Sequence, residues 1–230
     1  MISSIRHLNV FSPVKFGDKR VDVIGCGATG SKIALSLAKL GIRNIHIWDF
    51  DQVAKENIAN QVFGKEYIDW PKVDALADII LKETGYRVVP HNEKVDGTQA
   101  LGSVIFLLVD SMLGPGSRQD IWQKSIRFKM GVELMIETRM GIDNGRVYVI
   151  NPMSLKQVKA WESTLKPPKK DSVSACRAST SVGPTSDIIS GLAVWQLIRW
   201  FSIQNGSDDQ LENQIIFSLR SASTFITDYF

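Results

Sequence analysis

The chain switches between two hydrophobic periods, and the switches outline its elements. Val21-Asp22-Val23-Ile24 is a short β-branched run stopped by Gly25, which predicts a strand. From Ser31 the apolar positions take helical spacing: Ile33, Ala34, Leu37 and Ala38 share one face, and Gly41 follows as a stop. Asn44 to Trp48 predicts a second strand that runs into Asp49-Phe50-Asp51. Strand, helix and strand make a βαβ unit, with parallel strands and a right-handed crossover. Pro71 suits the first turn of another helix, where Val73, Leu76, Ala77 and Ile80 form a face and Gly85 ends it. Arg87 to Val89 leads into a strand. Ser103 to Val109 is a continuous apolar run closed by Asp110, the pattern of a strand buried on both faces of a parallel sheet. A helix is expected after Arg118 and a strand over Val132 to Ile136.

The pattern then changes. Asp143-Asn144-Gly145 is a turn signal between β-prone segments and predicts a hairpin. Residues 151 to 180 read as a long irregular connection with Pro152, Pro167-Pro168 and a Lys-rich patch, a length that usually carries function. Ile188 to Ile203 reads as a mostly apolar helix, and Asn213 to Phe230 shows β-like alternation. Residues 1 to 20 lack a clear period and are expected as a leader segment or a short helix at the surface. Residues 21 to 230 are expected to form one domain, with a crossover loop over about 151–183.

Composition narrows the function classes. The chain has 230 residues and a formal charge of +3, too small to argue for nucleic acid as the main partner. Its two cysteines, Cys26 and Cys176, offer no disulfide framework and no CxxC pair, so a cytoplasmic protein without structural zinc is expected. No apolar run is long enough to span a bilayer.

The first chemical constellation is Gly25-Cys26-Gly27-Ala28-Thr29-Gly30, a GxGxxG between strand and helix. Gly25 would allow the tight turn, Gly27 the approach of phosphate to backbone, and Gly30 the packing of helix on strand. The helix N-terminus after Ala28 and Thr29 offers free N–H groups to an anion. Asp49, about 20 residues on, is placed to bind a ribose hydroxyl. Taken alone, these residues bind an adenine nucleotide or dinucleotide.

The second constellation shifts the ligand. Asp49-Phe50-Asp51-Gln52-Val53-Ala54-Lys55-Glu56-Asn57-Ile58-Ala59-Asn60-Gln61 resembles the DxDxVxxxNxxRQ segment of the ThiF/MoeB/HesA family, the ubiquitin-activating-enzyme-like adenylyltransferases. Pro71-Lys72-Val73, Leu107-Leu108-Val109-Asp110-Ser111 and Cys176-Arg177 with Val182-Gly183-Pro184 resemble further family segments in the same order. The resemblance runs from about residue 21 to residue 203. It implies a Rossmann-like α/β fold: a doubly wound, mainly parallel sheet with a short antiparallel C-terminal extension. It also implies ATP and Mg²⁺ as ligands. The expected activity is adenylylation of the C-terminal carboxylate of a ubiquitin-like or sulfur-carrier protein ending in Gly-Gly, by a homodimer.

On this resemblance Asp49 and Asp51 would bind near the ribose, Lys72 the phosphates, and Asp110 the Mg²⁺. Asn57 would contact phosphate or the transition state, with Asn60 and Gln61 beside it. Cys176 would form a thio-linked intermediate, its thiolate favoured by Arg177. Asp51 has a second reading as a helix cap, Lys72 as a solvated charge, Cys176 as a buried apolar residue, and Cys26 as filler in the loop. Arg6 is the residue that would reach the other subunit's site.

Three departures are visible. Asn60 stands where the family has Arg, so Lys55 or Arg118 would have to supply the charge. Ser111 stands for the Asn that follows the family's Asp, and the spacing from Asp110 to Arg118 is long. The alternatives are therefore a non-catalytic subunit paired with a competent chain, an enzyme acting on a small molecule, peptide or tRNA base, and an NAD-dependent oxidoreductase.

Overall fold

The computed structural model describes residues 6–165, 182–220 and 224–230. Eight strands form one sheet in the order β3-β2-β1-β4-β5-β6-β7-β8. Strands β1 (Val21–Ile24), β2 (Ile45–Trp48), β3 (Val89–His91), β4 (Val104–Leu107) and β5 (Leu134–Met140) pair in parallel. Strands β6 (Asn144–Ile150), β7 (Gln214–Ser218) and β8 (Thr224–Asp228) then add on antiparallel. The doubly wound α/β sheet with its antiparallel extension is as expected.

One face of the sheet is covered by α2 (Gly30–Lys39), α3 (Lys72–Thr84) and α6 (Gly183–Gln204). Val21, Val23, Ile45, Ile47, Val104, Phe106 and Ile136 point into that core. On the opposite face, α4 (Arg118–Ile121) and α5 (Leu155–Glu162) bring Trp122 and Trp161 against Ile105, Leu107, Met135 and Tyr148. All four residues of β1 and of β4 are buried between the two layers of helices, and the one charge among them, Asp22, is paired with Arg20 and accepts from Trp48 Nε1 at 2.7 Å. Gly85 ends α3 with φ 76°, the left-handed conformation expected of a stop glycine.

The structure corrects four expectations. The N-terminal segment is not wholly at the surface. It carries α1 (Pro13–Phe16), and Phe11 and Phe16 are buried against Phe201 of α6, with ring centroids 4.8 and 6.2 Å away. Two aromatic side chains in twenty residues gain more by burial than a polar segment loses. The hairpin is present, but its turn falls at residues 141–143. Gly145 lies inside β6, paired with Met140. Pro71 caps α3 from outside its first turn. Residues 151–165 are not irregular: α5 begins at a Ser154 cap and buries Val158 and Trp161. Two buried side chains per eight residues were too weak a period to show.

Candidate functional site

The chain runs outward from β1 to β2 and β3, then returns to β4 on the other side of β1. The crevice between the carboxyl ends of β1 and β4 is therefore a topological switch point, where open α/β sheets bind ligands. The two strand ends are joined directly: Leu108 N donates to Ile24 O at 2.8 Å. Gly25 turns the chain at φ 97°, and a Cβ there would stand 3.1 Å from the Leu108 carbonyl. At Gly30 a Cβ would lie 1.8 Å from Gly25 O, so only glycine lets α2 start this close to the loop. A Cβ at Gly27 would meet nothing within 4 Å. The first and third glycines are thus demanded by packing, and the second faces open space that suits a phosphate. Ala28 and Thr29 complete the loop, and Ser190 of α6 donates to Thr29 O at 3.2 Å.

The end of β2 is tied to this loop. Asp49 Oδ2 accepts from Cys26 N at 2.6 Å, and Oδ1 accepts from Asp51 N at 2.9 Å. Burial pushes the Asp49 carboxyl above its usual 3.8, against the opposing pull of Lys72 and the two backbone donors. A carboxylate has about four acceptor positions, so two remain for a ligand hydroxyl. Lys72 is not a solvated charge. It is 7% exposed, and its Nζ donates to Asp51 Oδ2 at 2.8 Å. Asp51 serves this pair in place of a helix cap, and its carbonyl also accepts from Lys72 N. The Cys26 thiol is fully buried and pushed well up, first by burial and then by Asp49, which suits filler and not a nucleophile.

Asn57, Asn60 and Gln61 follow on a single 3-10 turn over Lys55–Ala59 and its exit. Asn57 Oδ1 accepts from Ala54 N at 2.9 Å, which sets the amide in place. The carbonyl of Asn60 accepts from Ser186 Oγ of α6 at 3.4 Å. Lys55 is exposed.

Asp110 lies at the other wall, exposed in the turn after β4. Arg118 does not reach outward to make up for Asn60. It is 6% exposed and ion-paired with Glu137, which is fully buried on β5. Burial, then the like charge of Arg139, presses the Arg118 guanidinium below its usual range, while Asp110 opposes this. The group stays protonated at neutral pH all the same. Glu137 and Arg139 were not singled out from the sequence. The signal was there: two opposite charges two residues apart share one face of an otherwise apolar strand. Arg6 is exposed in an N-terminal turn. Cys176 and Arg177 lie outside the described residues.

The residues fit a nucleotide accompanied by a hard divalent cation. Gly27 opens onto free space, and Asp110 offers an exposed carboxylate at the same end of the sheet. Among the described residues no group of three or more His, Cys, Asp or Glu could hold a metal alone. Mg²⁺ is bound by one or two carboxylates plus phosphate oxygens, and Asp110 would be one such carboxylate.

The Escherichia coli MccB structure solved with ATP superposes with a TM-score of 0.69 at 15% identity, over 94% of this chain and 65% of that one. At that identity the likeness is one of fold. The Caenorhabditis briggsae adenylyltransferase and sulfurtransferase MOCS3 is 31% identical over 81 residues, 34% of this chain and 20% of that protein. Malate dehydrogenase 1 of Aquifex aeolicus is 26% identical over 145 residues, 63% of this chain and 42% of that protein. The chain thus spans less than half the length of these two curated relatives. The ThiF family profile matches residues 13–225, nearly the whole chain, and so the protein belongs to the ThiF family.

Proposed function

We propose that this chain is an ATP-dependent adenylyltransferase acting on the C-terminal carboxylate of a peptide or small protein. The observation that carries the reading is the docking of β4 on β1 through Leu108 and Ile24, which sets the Asp110 turn beside the glycine loop. Membership of the ThiF family and the similarity to MOCS3 and MccB support it. The run from Asp49 to Gln61, with Lys72, favours ATP over NAD.

In this reading the phosphates lie over Gly25, Gly27, Ala28, Thr29 and Gly30, and Asp49 accepts from a ribose hydroxyl. Lys72 is held by Asp51 until a polyphosphate competes for its charge. An acyl carboxylate oxygen attacks the α-phosphorus; the bond to the bridging oxygen breaks, and pyrophosphate departs with that electron pair. Asn57 donates to the phosphate oxygens as charge develops there. Asp110 would hold Mg²⁺, which when bound neutralises charge on the phosphates and leaving group. The finer partner we infer is a ubiquitin-like or sulfur-carrier protein with a Gly-Gly end, in the cytoplasm, with the enzyme as a homodimer. The Cys176 thiolate would then attack the acyl carbon of the adenylate; the bond to the phosphate oxygen breaks, AMP leaves with that electron pair, and a thioester forms.

Asn60 favours a second reading, a subunit that binds nucleotide or partner while another chain does the chemistry. Exchange of labelled pyrophosphate into ATP, with a diglycine-tailed protein present, separates the two. Exchange that depends on Asp110 supports catalysis by this chain. No exchange and no ATP binding would overturn it.

A further inference from the structure

The turn that carries Asp110 is irregular, closed on itself by Ser117 N donating to Gly114 O at 3.1 Å and Ser111 Oγ donating to Leu113 O at 3.2 Å. Residues 110 to 115 include Gly114 at φ 99° and are mostly exposed, and Gly116 follows at φ 69°. Yet the backbone on each side of Asp110 is tied to one residue. Arg118 Nε donates to Val109 O at 2.5 Å, and Arg118 N donates to Ser111 O at 2.9 Å. The same guanidinium donates through Nη1 to Thr138 O at 2.7 Å, on β5. The Ser111 bond is made by the backbone of Arg118, while the planar fork of its guanidinium bridges the Val109 and Thr138 carbonyls at a fixed geometry that a rotating ammonium does not hold.

A guanidinium this buried needs a counter-ion, and Glu137 supplies it. The Glu137 carboxylate is fully buried and shared. It pairs with Arg118, accepts from Arg139 Nε at 2.9 and 3.1 Å, and accepts from Trp161 Nε1 at 3.0 Å. Arg139 in turn donates to Thr164 O at 3.0 Å and Thr164 Oγ1 at 2.8 Å, just after α5. Its guanidinium also lies 4.5 Å from the Tyr148 ring. Stability is a poor reason for this cluster, because apolar residues of equal volume commonly do as well as a buried ion pair. What the charges add is direction.

We propose that Glu137 is a positioning residue for the nucleotide site, acting through two guanidinium groups. Through Arg118 it fixes the turn that presents Asp110; through Arg139 it fixes the chain where it leaves α5. Both the glycine loop and Asp49 belong to the other wall and do not depend on it. The inference rests on the reading of Asp110 as the carboxylate that meets the metal-bound nucleotide.

The test is calorimetric titration with ATP, once with Mg²⁺ and once with EDTA, so no acyl substrate is needed. Glu137→Gln is expected to weaken Mg-ATP binding about tenfold or more, the effect of a misplaced group, with metal-free ATP changed less than about twofold. Arg118→Lys should repeat that pattern, since it keeps the charge and loses the fork. If Glu137→Gln does not fold, Arg118→Lys carries the measurement. Combining Glu137→Gln with Asp110→Asn should be no worse than Asp110→Asn alone, because both act at one point. Equal losses with and without Mg²⁺, or losses that add in the double variant, would overturn the proposal. Asp110→Asn binding Mg-ATP like the wild type would instead sink the reading of Asp110 itself.

Discussion

The two walls of the crevice are built by opposite means. The glycine wall is made by a run of six neighbours, Gly25 to Gly30, pinned by backbone hydrogen bonds and by the lack of a Cβ. The Asp110 wall is an exposed turn, held from beneath by an arginine whose counter-ion sits on the next strand. The difference follows from what each wall must present. A phosphate cradle needs free N–H groups and close approach, which glycines supply locally. A carboxylate at a fixed point needs an anchor, and an irregular turn has to borrow one.

The sharpest break of this contrast is at Gly30. Gly30→Ala forces a Cβ into Gly25 O, a clash with backbone that cannot swing aside. A loss of about 3 kcal/mol, the upper range for overpacking, is expected in thermal melts, together with loss of ATP binding. A variant that melts and binds like the wild type would refute the steric account of that wall.

On the other wall, Asp110→Ala should leave the melt unchanged, since the side chain is exposed. Pyrophosphate exchange should fall on the order of a hundredfold, while metal-free ATP binding holds. Lys72 lies between the extremes. Lys72→Met removes a charged donor and leaves Asp51 unpaired, and ATP affinity by calorimetry should drop about tenfold.

The smallest effect is a shift in pH dependence. Burial, the leading cause, raises Asp49, so on acidification it protonates sooner than an ordinary carboxylate. ATP affinity that depends on the ribose hydroxyl is complete above that raised pKa and lost as pH falls through it. Titrations across acidic pH should show this limb in the wild type and lack it in Asp49→Asn.

Much of the parallel half of the fold was legible. Strand β1 is a short β-branched run ended by Gly25, β4 lies in an apolar run ended by Asp110, and α2 and α3 carry a clear helical period. Motif order singled out Asp49 and Lys72; the structure brings Asp49 to the glycine loop through Cys26 N, and Lys72 to Asp51. The misses share one cause. Phe11 and Phe16 find their partner in Phe201, nearly two hundred positions away, and no local period announces such a contact. Likewise α5 buries one side only, through Val158 and Trp161, and its polar remainder reads as loop.

By itself the sequence determined the cradle: a strand, a glycine turn and a helix start, whose form follows from sterics among adjacent residues. It also determined the two faces of the sheet, since β-branched and helical periods are local properties. Only the tertiary structure decided that Arg118 turns inward. A guanidinium can serve a ligand or a buried carboxylate with the same donors. The choice was made by Glu137 arriving fully buried beneath the Asp110 turn, where an unpaired charge would not be tolerated.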